Sequence, residues 1–399
     1  MHTSRREMMI GSLSAMAGGL LAASAVPSSA APPAPKGGSA TGAYQAGSAE
    51  RKLDIVNLHD LEQEARKLIP VPQFSYISSG SGDEWTLREN VRSFDDHAIM
   101  PRYLAGVKQP DTRTVLLGSD VRIPIFVPPM AAHGLAHASA ELGTAKGAAD
   151  AGALFTAQTL ANVPLSEMAK VSQGPKWFQL YFTKDMGVNR ELIARAKAMG
   201  ATAIVFTVDL EWSGNRESDK RTGFTFPASL PFPNVPNAPA GATLAELFTI
   251  FKRDLDFKDL EFIAKESGLP VVVKGIQSPD NAKEAVNAGA AAIQVSNHGG
   301  RQLDTVPGAF TTLPGVVDAV GHKVPVYLDG GVRRGVHVFK ALAMGASGVA
   351  VGRPVLYGLA LGGAAGVTSV LNTLKYELEL SMKLAGCATI KDINRTFLT

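Results

Sequence analysis

Eight short β-rich runs divide the chain from residue 124 onward, and stretches with helical character separate them. The runs are residues 124–130, 153–158, 177–183, 203–209, 270–275, 292–297, 325–330 and 348–353. Most are continuously apolar, which is typical of parallel strands covered by helices such as those predicted at residues 191–199 and 336–344. Eight strand–helix units that close on themselves predict an α/β fold, the (β/α)8 TIM barrel.

The composition agrees with this fold class, because 45% of the 399 residues are hydrophobic and 19% are charged. The formal net charge is only +3, and no predicted element carries lysines and arginines interleaved with aromatic residues, which argues against nucleic-acid binding. The single cysteine, Cys387, excludes an intrachain disulfide and a cysteine-based metal cage. The chain therefore reads as a globular α/β protein without nucleic acid as a partner.

Two segments interrupt the regular spacing of strands and helices. Residues 57–90 have helical character, so we predict that residues 51–110 form a helical cap on a barrel at residues 111–395. Between the fourth and fifth strands, about 60 residues replace the usual short connection; they are rich in proline at residues 224–239 and favour a helix at residues 244–253. We interpret residues 222–257 as a lid over the active site, and a connection without function is the alternative.

The first 30 residues have the pattern of an export signal. Arg5 and Arg6 precede an apolar stretch diluted by glycine, alanine and serine, and small residues permit cleavage after Ala25 or Ala30. Paired arginines with modest hydrophobicity favour the twin-arginine route. We predict a signal peptide at residues 1–30, a flexible linker at residues 31–50, and a periplasmic or extracellular protein that is exported after folding. An uncleaved anchor is the alternative, but a membrane span needs about 20 strongly apolar residues, so we expect no stable span.

Polar residues follow the predicted strands at their carboxyl ends, where the active sites of such barrels lie. In chain order these positions hold Gln158, Gln179, Tyr181, Thr207, Asp209, Lys274, Ser296, Asn297, His298, Asp329 and Arg353. After the sixth strand, two glycines let the backbone turn close to a flat ligand, so that His298 and Arg301 can both face the barrel mouth. Histidine exchanges a proton near neutral pH, and arginine can hold a carboxylate with two parallel hydrogen bonds. Asp209 ends the fourth strand and can orient and stabilise the His298 imidazolium.

The last two strands end in loops rich in glycine and arginine, at residues 329–335 and 352–353. Loops at these places are the recurrent phosphate site of the fold, so we expect a phosphorylated ligand, which on fold grounds is a sugar phosphate, a nucleotide or FMN. His133 and His137 have a spacing that can bind zinc on a helix. Gly134 disfavours that helix and no third ligand accompanies them in the sequence, so we predict no metal site.

These residues resemble the signature of the FMN-dependent 2-hydroxy acid dehydrogenase and oxidase family. The resemblance covers about residues 53–395 and rests chiefly on Ser-Asn-His-Gly-Gly-Arg-Gln-Leu-Asp at residues 296–304. Further matching segments are residues 74–80, 177–181, 207–209, 214–221, 273–275 and 329–335. Within the family, residues 131–133, 214–217 and 357–363 are most similar to the lactate oxidases.

The resemblance implies FMN as the cofactor and oxidation of a small L-2-hydroxy acid, with lactate as the leading candidate, to the 2-keto acid. His298 would take a proton from the substrate while hydride passes to the flavin N5, and Asp209 would stabilise the imidazolium. Tyr181 would hydrogen-bond the substrate hydroxyl oxygen. Arg301 would act with Tyr76 and Arg216 to hold the substrate carboxylate.

The same resemblance implies the residues that bind the cofactor, and a homotetramer. Lys274 would lie near the flavin N1 and O2, where its charge stabilises the anionic reduced ring. The other residues along the flavin would be Pro129, Met130, Ala131, Gln158, Gln179, Thr207 and Ser296. Those at the phosphate end would be Asp329, Gly330, Gly331, Arg333, Gly352 and Arg353.

Three departures from the family pattern lie near the substrate end. Gln158 stands where relatives often have serine, Leu160 stands where they carry tryptophan or tyrosine, and the lid lacks the tyrosine of lactate oxidases. Two other function classes stay open: a flavin-dependent isomerase on a related barrel, which would not need Arg301 and Tyr76, and a non-catalytic flavin or metabolite carrier. The electron acceptor is oxygen, a quinone or a cytochrome.

Overall fold

The structure is a computed structural model that describes residues 43–399. The predicted signal peptide and residues 31–42 of the predicted linker lie outside this part. Residues 43–50 differ from a flexible linker, because they form hydrogen bonds to the barrel. The Tyr44 hydroxyl donates to the carbonyl of Leu135 at 2.6 Å, and the Glu50 carboxylate accepts from the amides of Ala364 and Ala365 at 3.1 and 2.7 Å. Those amides follow a break in the last helix, where backbone donors need a partner from elsewhere.

Three helices occupy the predicted cap segment: α1 (Asp60–Leu68), α2 (Val71–Ser78) and α3 (Trp85–Arg92). The cap lies against the catalytic end of the barrel. A Cβ on Gly300 would be 2.6 Å from the amide nitrogen of Leu87, and one on Gly331 would be 1.8 Å from the carbonyl oxygen of Asn90. Only glycine permits this approach, and both residues also have a positive φ.

The eight predicted strands form a closed parallel barrel, which confirms the fold class. They are β3 (Ile125–Val127), β4 (Leu154–Gln158), β5 (Lys176–Leu180), β6 (Ala201–Thr207), β7 (Val271–Ile276), β8 (Ala292–Val295), β9 (Val326–Asp329) and β10 (Gly348–Ala350). Each strand pairs with the next, and β10 closes the barrel against β3. A hairpin, β1 (Thr114–Leu116) and β2 (Ser119–Val121), covers the amino end of the barrel, where Leu116 lies beside Gly348.

Helices follow the strands along the chain. They are α4 (Ala140–Ala151), α5 (Leu165–Val171), α6 (Met186–Ala198), α7 (Glu217–Thr222), α8 (Leu244–Phe248), α9 (Phe257–Ser267), α10 (Pro279–Asn287), α11 (Ala309–Val320), α12 (Gly335–Ala343) and α13 (Arg353–Ala385). The backbone of α13 is not helical at Gly362 and Gly363. This helix is long and apolar enough to cross a membrane, but 89% of its most apolar stretch is buried within the protein. Such burial is the pattern of a core helix.

The predicted lid lies between β6 and β7, and its helix is shorter than the sequence predicts. We expected a helix at residues 244–253, whereas α8 ends at Phe248. Beyond that point the amide of Lys252 donates to the carbonyl of Phe182 at 2.8 Å, and Phe251 forms a bridge with Thr183. The chain thereby buries Phe251 against the end of β5 with its backbone paired, which an extended helix would not allow.

Two layers of side chains fill the barrel interior. The apolar layer consists of Phe126, Leu154, Trp177, Ala203, Val205, Val272, Ala292, Tyr327 and Ala350, all fully buried. Side chains alternate along a strand, so residues two or four positions further on also point inward. At the carboxyl ends of the strands these residues form a polar layer of Gln158, Gln179, Thr207, Lys274, Ser296 and Asp329. The inside of the barrel is therefore apolar toward the amino ends of the strands and polar at their carboxyl ends, where the predicted site lies.

Candidate active site

A cavity of about 980 Å³, measured with its open mouth, lies at the carboxyl end of the barrel. The predicted site residues that line it are Tyr76, Pro129, Met130, Ala131, Tyr181, Arg216, Lys274, His298, Arg301, Asp329, Gly330, Gly331, Arg333, Gly352 and Arg353. The fold thus brings residues from the cap and from many strand ends to one site. Gln158, Gln179, Thr207 and Ser296 do not line the cavity and belong to the buried polar layer.

His298 forms the centre of this site together with Asp209. The Nδ1 of His298 lies 2.9 Å from Oδ1 of Asp209, which leaves Nε2 as the ring nitrogen available to a ligand. The backbone amide of His298 donates to the Ser296 hydroxyl at 3.0 Å, and φ of His298 is +57°. A left-handed backbone costs free energy in a residue with a Cβ, and such strain is concentrated at functional sites.

The ionisation of this pair suits a base. Burial lowers the pKa of His298; the charge of Asp209 opposes this effect, and the charge of Lys274 adds to it. For Asp209, burial alone would raise the pKa, but the charges of His298 and Lys274 outweigh it, so its pKa lies below the ordinary value. At neutral pH, Asp209 is therefore ionised and His298 is neutral, which is the state that can accept a proton.

Two arginines next to His298 form an anion site. The guanidinium carbon of Arg301 lies 4.9 Å from the ring centroid of Tyr76, and Arg301 donates to the carbonyl of Ser79 at 2.9 Å. Arg216 is 5% exposed and donates to the carbonyl of Arg301 at 3.4 Å. Burial and repulsion from Arg301 lower the pKa of Arg216. Two neighbouring guanidinium groups, of which that of Arg216 is buried, favour an anionic ligand, because a buried charge is costly without a counter-charge.

Aromatic residues of the lid cover this anion site. Phe224 stacks on Tyr76 with ring centroids 4.5 Å apart, and Phe226 contacts the same ring edge-on at 5.1 Å. Tyr181 packs against Phe251 at 5.2 Å, and burial raises the pKa of its hydroxyl, which therefore stays protonated as a donor. The apolar part of the cavity wall is formed by Leu160, Leu210 and Leu244.

The predicted phosphate end contains the loops that follow β9 and β10. Gly330 and Gly331 have positive φ values of 108° and 75°, so their backbone can turn its amides toward a ligand. Arg353 lines the same cavity, and its guanidinium also donates to the carbonyls of Ile77, Gly299 and Ser79 at 3.1, 3.0 and 2.9 Å. Three of its five N–H groups therefore hold the cap and the His298 loop together, and two are left for a phosphate.

The polar layer contains buried polar atoms that have no hydrogen-bond partner in the described part of the chain. Gln158 Oε1, Gln179 Nε2 and Thr207 Oγ1 are buried and have no hydrogen-bond partner among residues 43–399. Unpaired polar atoms in the interior cost free energy, so a ligand with its own donors and acceptors is favoured here. Lys274 Nζ lies 3.1 Å from Ser296 Oγ and 3.7 Å from Asp329 Oδ2.

Sequence reasoning missed two buried residues that support the site. The side-chain amides of Asn90 and Asn297 donate to each other at 2.8 Å in both directions, which ties α3 to the residue before His298. Glu141 accepts a hydrogen bond from Gln158 at 3.0 Å. Asn90 and Glu141 lie on helices that also carry exposed polar residues. They differ from those residues only in being buried, and the sequence does not show burial of this kind.

His133 and His137 form hydrogen bonds within the described chain. The Nδ1 of His133 lies 2.8 Å from the Thr144 hydroxyl, and the Nδ1 of His137 lies 2.8 Å from the Ser139 hydroxyl. Among residues 43–399, no three histidine, cysteine, aspartate or glutamate side chains come together as metal ligands. Both histidines act as hydrogen-bonding core residues.

Comparison with known proteins decides the family. The model of the FMN-dependent dehydrogenase family matches residues 65–399. The chain belongs to this family. An L-lactate oxidase of Streptococcus iniae is 46% identical over 353 residues, which are 88% of this chain and 87% of that protein. Glycolate oxidase 3 of Arabidopsis thaliana is 40% identical over 354 residues, which are 87% of this chain and 96% of that protein.

Solved structures of the family have the same fold as this FMN-dependent dehydrogenase. The crystal structure of a lactate oxidase from Pediococcus acidilactici matches with a TM-score of 0.85 and 44% identity, and the match covers 89% of this chain and 97% of that one. A mandelate oxidase matches with a TM-score of 0.80 and 38% identity, covering 87% and 98%. The resemblance seen in the sequence motifs is thereby confirmed over most of the chain.

The residues present fit FMN, the cofactor of this family. The unpaired atoms of Gln158, Gln179 and Thr207 suit the polar edge of a flavin ring, which carries both N–H and C=O groups. Lys274 supplies a buried positive charge beside that layer. Arg333 and the glycine amides of residues 330 and 331 suit the phosphate. An FMN-dependent dehydrogenase would hold its cofactor with these groups.

Proposed function

We propose that this FMN-dependent enzyme oxidises a small L-2-hydroxy acid, lactate foremost, to the 2-keto acid. The observation that carries this proposal is that His298, which is hydrogen-bonded to Asp209, lines one cavity together with Arg216 and Arg301. A 2-hydroxy acid has a carboxylate next to the carbon that is oxidised. Its carboxylate matches the anion site, and its hydroxyl group matches the base. Lactate leads because relatives at 44–46% identity are named L-lactate oxidases.

Side chains of the enzyme would position the substrate by its two oxygen groups. Arg301 and Arg216 bind the carboxylate, with Tyr76 held between Arg301 and the lid. Tyr181, a protonated donor, holds the hydroxyl oxygen that becomes the keto oxygen. Binding through two groups fixes the α-carbon relative to the cofactor, and such orientation is a large part of catalysis.

His298 would act as the general base. Its Nε2 takes the proton of the substrate hydroxyl, and the negative charge of Asp209 stabilises the resulting imidazolium. When bound in this site, FMN would supply the acceptor for the α-hydrogen and its electron pair. The oxidation is then balanced, because the substrate has lost one proton and one hydride and has become the 2-keto acid. The charge of Lys274 favours the electron-rich reduced cofactor.

Anaerobic bleaching tests this function. The purified protein is expected to be yellow and to lose its visible flavin absorbance when L-lactate is added without oxygen. D-lactate is the matched control, since it presents the α-hydrogen to the wrong face of the same site. Absence of bleaching with a broad panel of L-2-hydroxy acids would contradict the proposal. Net turnover without any electron acceptor would instead indicate the alternative function, a flavin-dependent isomerase.

Oxygen is the electron acceptor that we propose, because the relatives named above are oxidases. Turnover is to be measured in air and under nitrogen with an artificial acceptor. Equal rates with formation of hydrogen peroxide support oxygen. A much higher rate with the artificial acceptor contradicts it and favours a quinone or a cytochrome.

We also propose that the enzyme is exported after folding and is a homotetramer. Export is supported by Arg5, Arg6 and the stretch that follows them, all of which lie outside the described residues. Replacement of both arginines by lysine is expected to leave folded, FMN-bound enzyme in the cytoplasm. Export of this variant at the original level would contradict the twin-arginine route.

Light scattering tests the homotetramer, and a monomeric mass would contradict it.

A further inference from the structure

Glu141 is a buried carboxylate to which the reaction assigns no role. It is the second residue of α4 and is 0% exposed. Asp329 has Lys274 as a cationic partner and Asp209 is hydrogen-bonded to His298, whereas Glu141 forms no ion pair with any residue in the described chain. A carboxylate without a cation is costly to bury, so its hydrogen bonds must carry its stabilisation.

These hydrogen bonds connect two loops of the active site. Glu141 Oε1 accepts from the amide of His133 at 3.0 Å, in the loop that follows β3 and contains the cavity residues Met130 and Ala131. Its Oε2 accepts from the amide of Asn162 at 3.0 Å, in the loop that follows β4 and contains Leu160. Glu141 therefore holds together the ends of two neighbouring strands.

The remaining hydrogen bond fixes the orientation of Gln158. Gln158 Nε2 donates to Glu141 Oε1 at 3.0 Å. An ionised carboxylate can only accept, so the amide group of Gln158 must turn its nitrogen toward Glu141 and its oxygen the other way. That oxygen is buried and has no partner among residues 43–399.

Gln179 presents the opposite polarity beside Gln158. The two residues are partners in the register of β4 and β5. Gln179 Oε1 accepts from the amide of Thr159 at 3.4 Å, and its Nε2 is buried without a partner in the described chain. One free acceptor and one free donor thus lie on adjacent strands. This pattern is complementary to a ring edge on which C=O and N–H groups alternate, as they do in the flavin pyrimidine ring.

We propose that Glu141 is a positioning residue that fixes the amide of Gln158, so that Gln158 and Gln179 together match the alternating edge of the flavin and set its reduction potential. The inference rests on the proposed cofactor role of Gln158. Relatives often have serine at this position, and a hydroxyl can rotate to donate or accept. An amide cannot adapt in this way, and a fixed neighbour is needed to keep its oxygen toward the ring.

The surroundings of Glu141 set the conditions of the test. Burial raises the pKa of Glu141 to about 7, so measurements are made at pH 8, where it is ionised. Burial also lowers the pKa of His133 to about 3, so this neighbour is neutral. At pH 8 the carboxylate is therefore the acceptor-only group that the geometry requires.

The experiment measures the midpoint potential and the visible absorption of FMN bound to the holoenzyme. Glu141→Gln removes one acceptor position and lets the amide of Gln158 reverse, so that N–H groups face the ring. Donors stabilise the electron-rich reduced ring, and we expect the potential to rise and the absorption maximum to shift. Gln158→Leu is expected to change both properties, and adding Glu141→Gln to Gln158→Leu is expected to cause no further change.

Two further variants separate this role from loss of packing. Glu141→Asp keeps an acceptor-only group and is expected to retain the potential and absorption of the original enzyme, even where its melting temperature falls. Glu50→Gln is the matched control, because Glu50 also accepts from two backbone amides but has no contact with Gln158. Its flavin properties are expected to stay unchanged.

The outcomes are distinguishable. An unchanged potential in Glu141→Gln, with a shift in Gln158→Leu, overturns the positioning role alone. A shift in Glu141→Asp equal to that in Glu141→Gln also overturns it, because loose packing would then be the cause. No shift in Gln158→Leu overturns the cofactor contact on which the inference rests. Failure of the proposed function is seen separately, as absence of anaerobic bleaching by 2-hydroxy acids.

Discussion

The apolar layer and the catalytic end of the barrel are built by the same strands and have opposite chemistry. Trp177, in the apolar layer, and Gln179, in the polar layer, are two residues apart on β5 and both point inward. The same step separates Tyr327 from Asp329 on β9. A distance of about 7 Å along a strand thus divides residues that fill the core from residues that face the ligand.

The difference teaches how stability and function are divided in this fold. The apolar layer gains its stability from burial and close packing. The catalytic end buries charged and polar groups, among them Arg216, Lys274 and three unpaired polar atoms in the described chain, and these favour a ligand more than they favour folding. Substitutions in the two regions should therefore affect different measurements.

The largest expected effect is on catalysis at the cavity. His298→Ala removes the general base, and we expect the rate of flavin reduction by L-lactate to fall by about 10³-fold, within a range of roughly 10²–10⁴. FMN content and melting temperature should change little. His322→Ala is the control, since His322 is exposed and away from the cavity. A rate within about tenfold of the original would place the base elsewhere.

The opposite result is expected in the apolar layer. Trp177→Ala leaves a cavity beside Phe126 and Tyr327 and should lower the free energy of unfolding by about 3–5 kcal/mol, measured by urea denaturation. The turnover of each bound flavin should stay within a few-fold of the original. Trp212→Ala is the matched control, because this tryptophan is 65% exposed. Loss of turnover in folded Trp177→Ala would show that the two regions are not separable.

Substrate binding is expected to show an intermediate effect. Arg301→Lys keeps the charge but removes the planar pair of donors, so kcat/KM for L-lactate should fall by about 10–100-fold, mainly through KM, which corresponds to about 1.5–3 kcal/mol. Stability should change little, in contrast to the apolar layer. Arg195→Lys on the exposed face of α6 is the control. An unchanged KM would contradict the assignment of Arg301 to the carboxylate.

The sequence predicts the barrel and the residues at strand ends, because both depend on local patterns. Continuous apolar runs mark buried parallel strands, and the residue type changes where each run meets the cavity. The support of Gln158 by Glu141 and of Asn297 by Asn90 could not be predicted. Asn90 and Asn297 are 207 residues apart, and no local pattern encodes a contact between them. The short helix α8 is a similar case, since its end depends on a backbone contact with Phe182.

A smaller effect is expected at the apolar wall of the cavity. Leu160→Tyr places an aromatic ring where Leu160 now adjoins the substrate space. We expect kcat/KM for a branched acid such as 2-hydroxyisocaproate to fall relative to L-lactate by about fivefold, which corresponds to about 1 kcal/mol. Leu210→Met, with a similar volume, is the control. An unchanged ratio would mean that Leu160 does not select the substrate tail.

The smallest expected effect concerns pH, and it follows from the ionisation of His298. Its pKa lies below 6.5, so the neutral base is already the main form at pH 7 and a further rise in pH adds little more of it. We expect kcat/KM for L-lactate to change by less than about twofold between pH 7 and pH 8, and to fall below pH 6.5 as His298 becomes protonated. Glu141→Gln serves as the control. If the decrease of kcat/KM at low pH changed in this variant, the decrease would have to be assigned to protonation of Glu141. If the decrease of kcat/KM had its midpoint above pH 7 in the original enzyme, it would contradict a lowered pKa of His298, because burial lowers the pKa of a histidine.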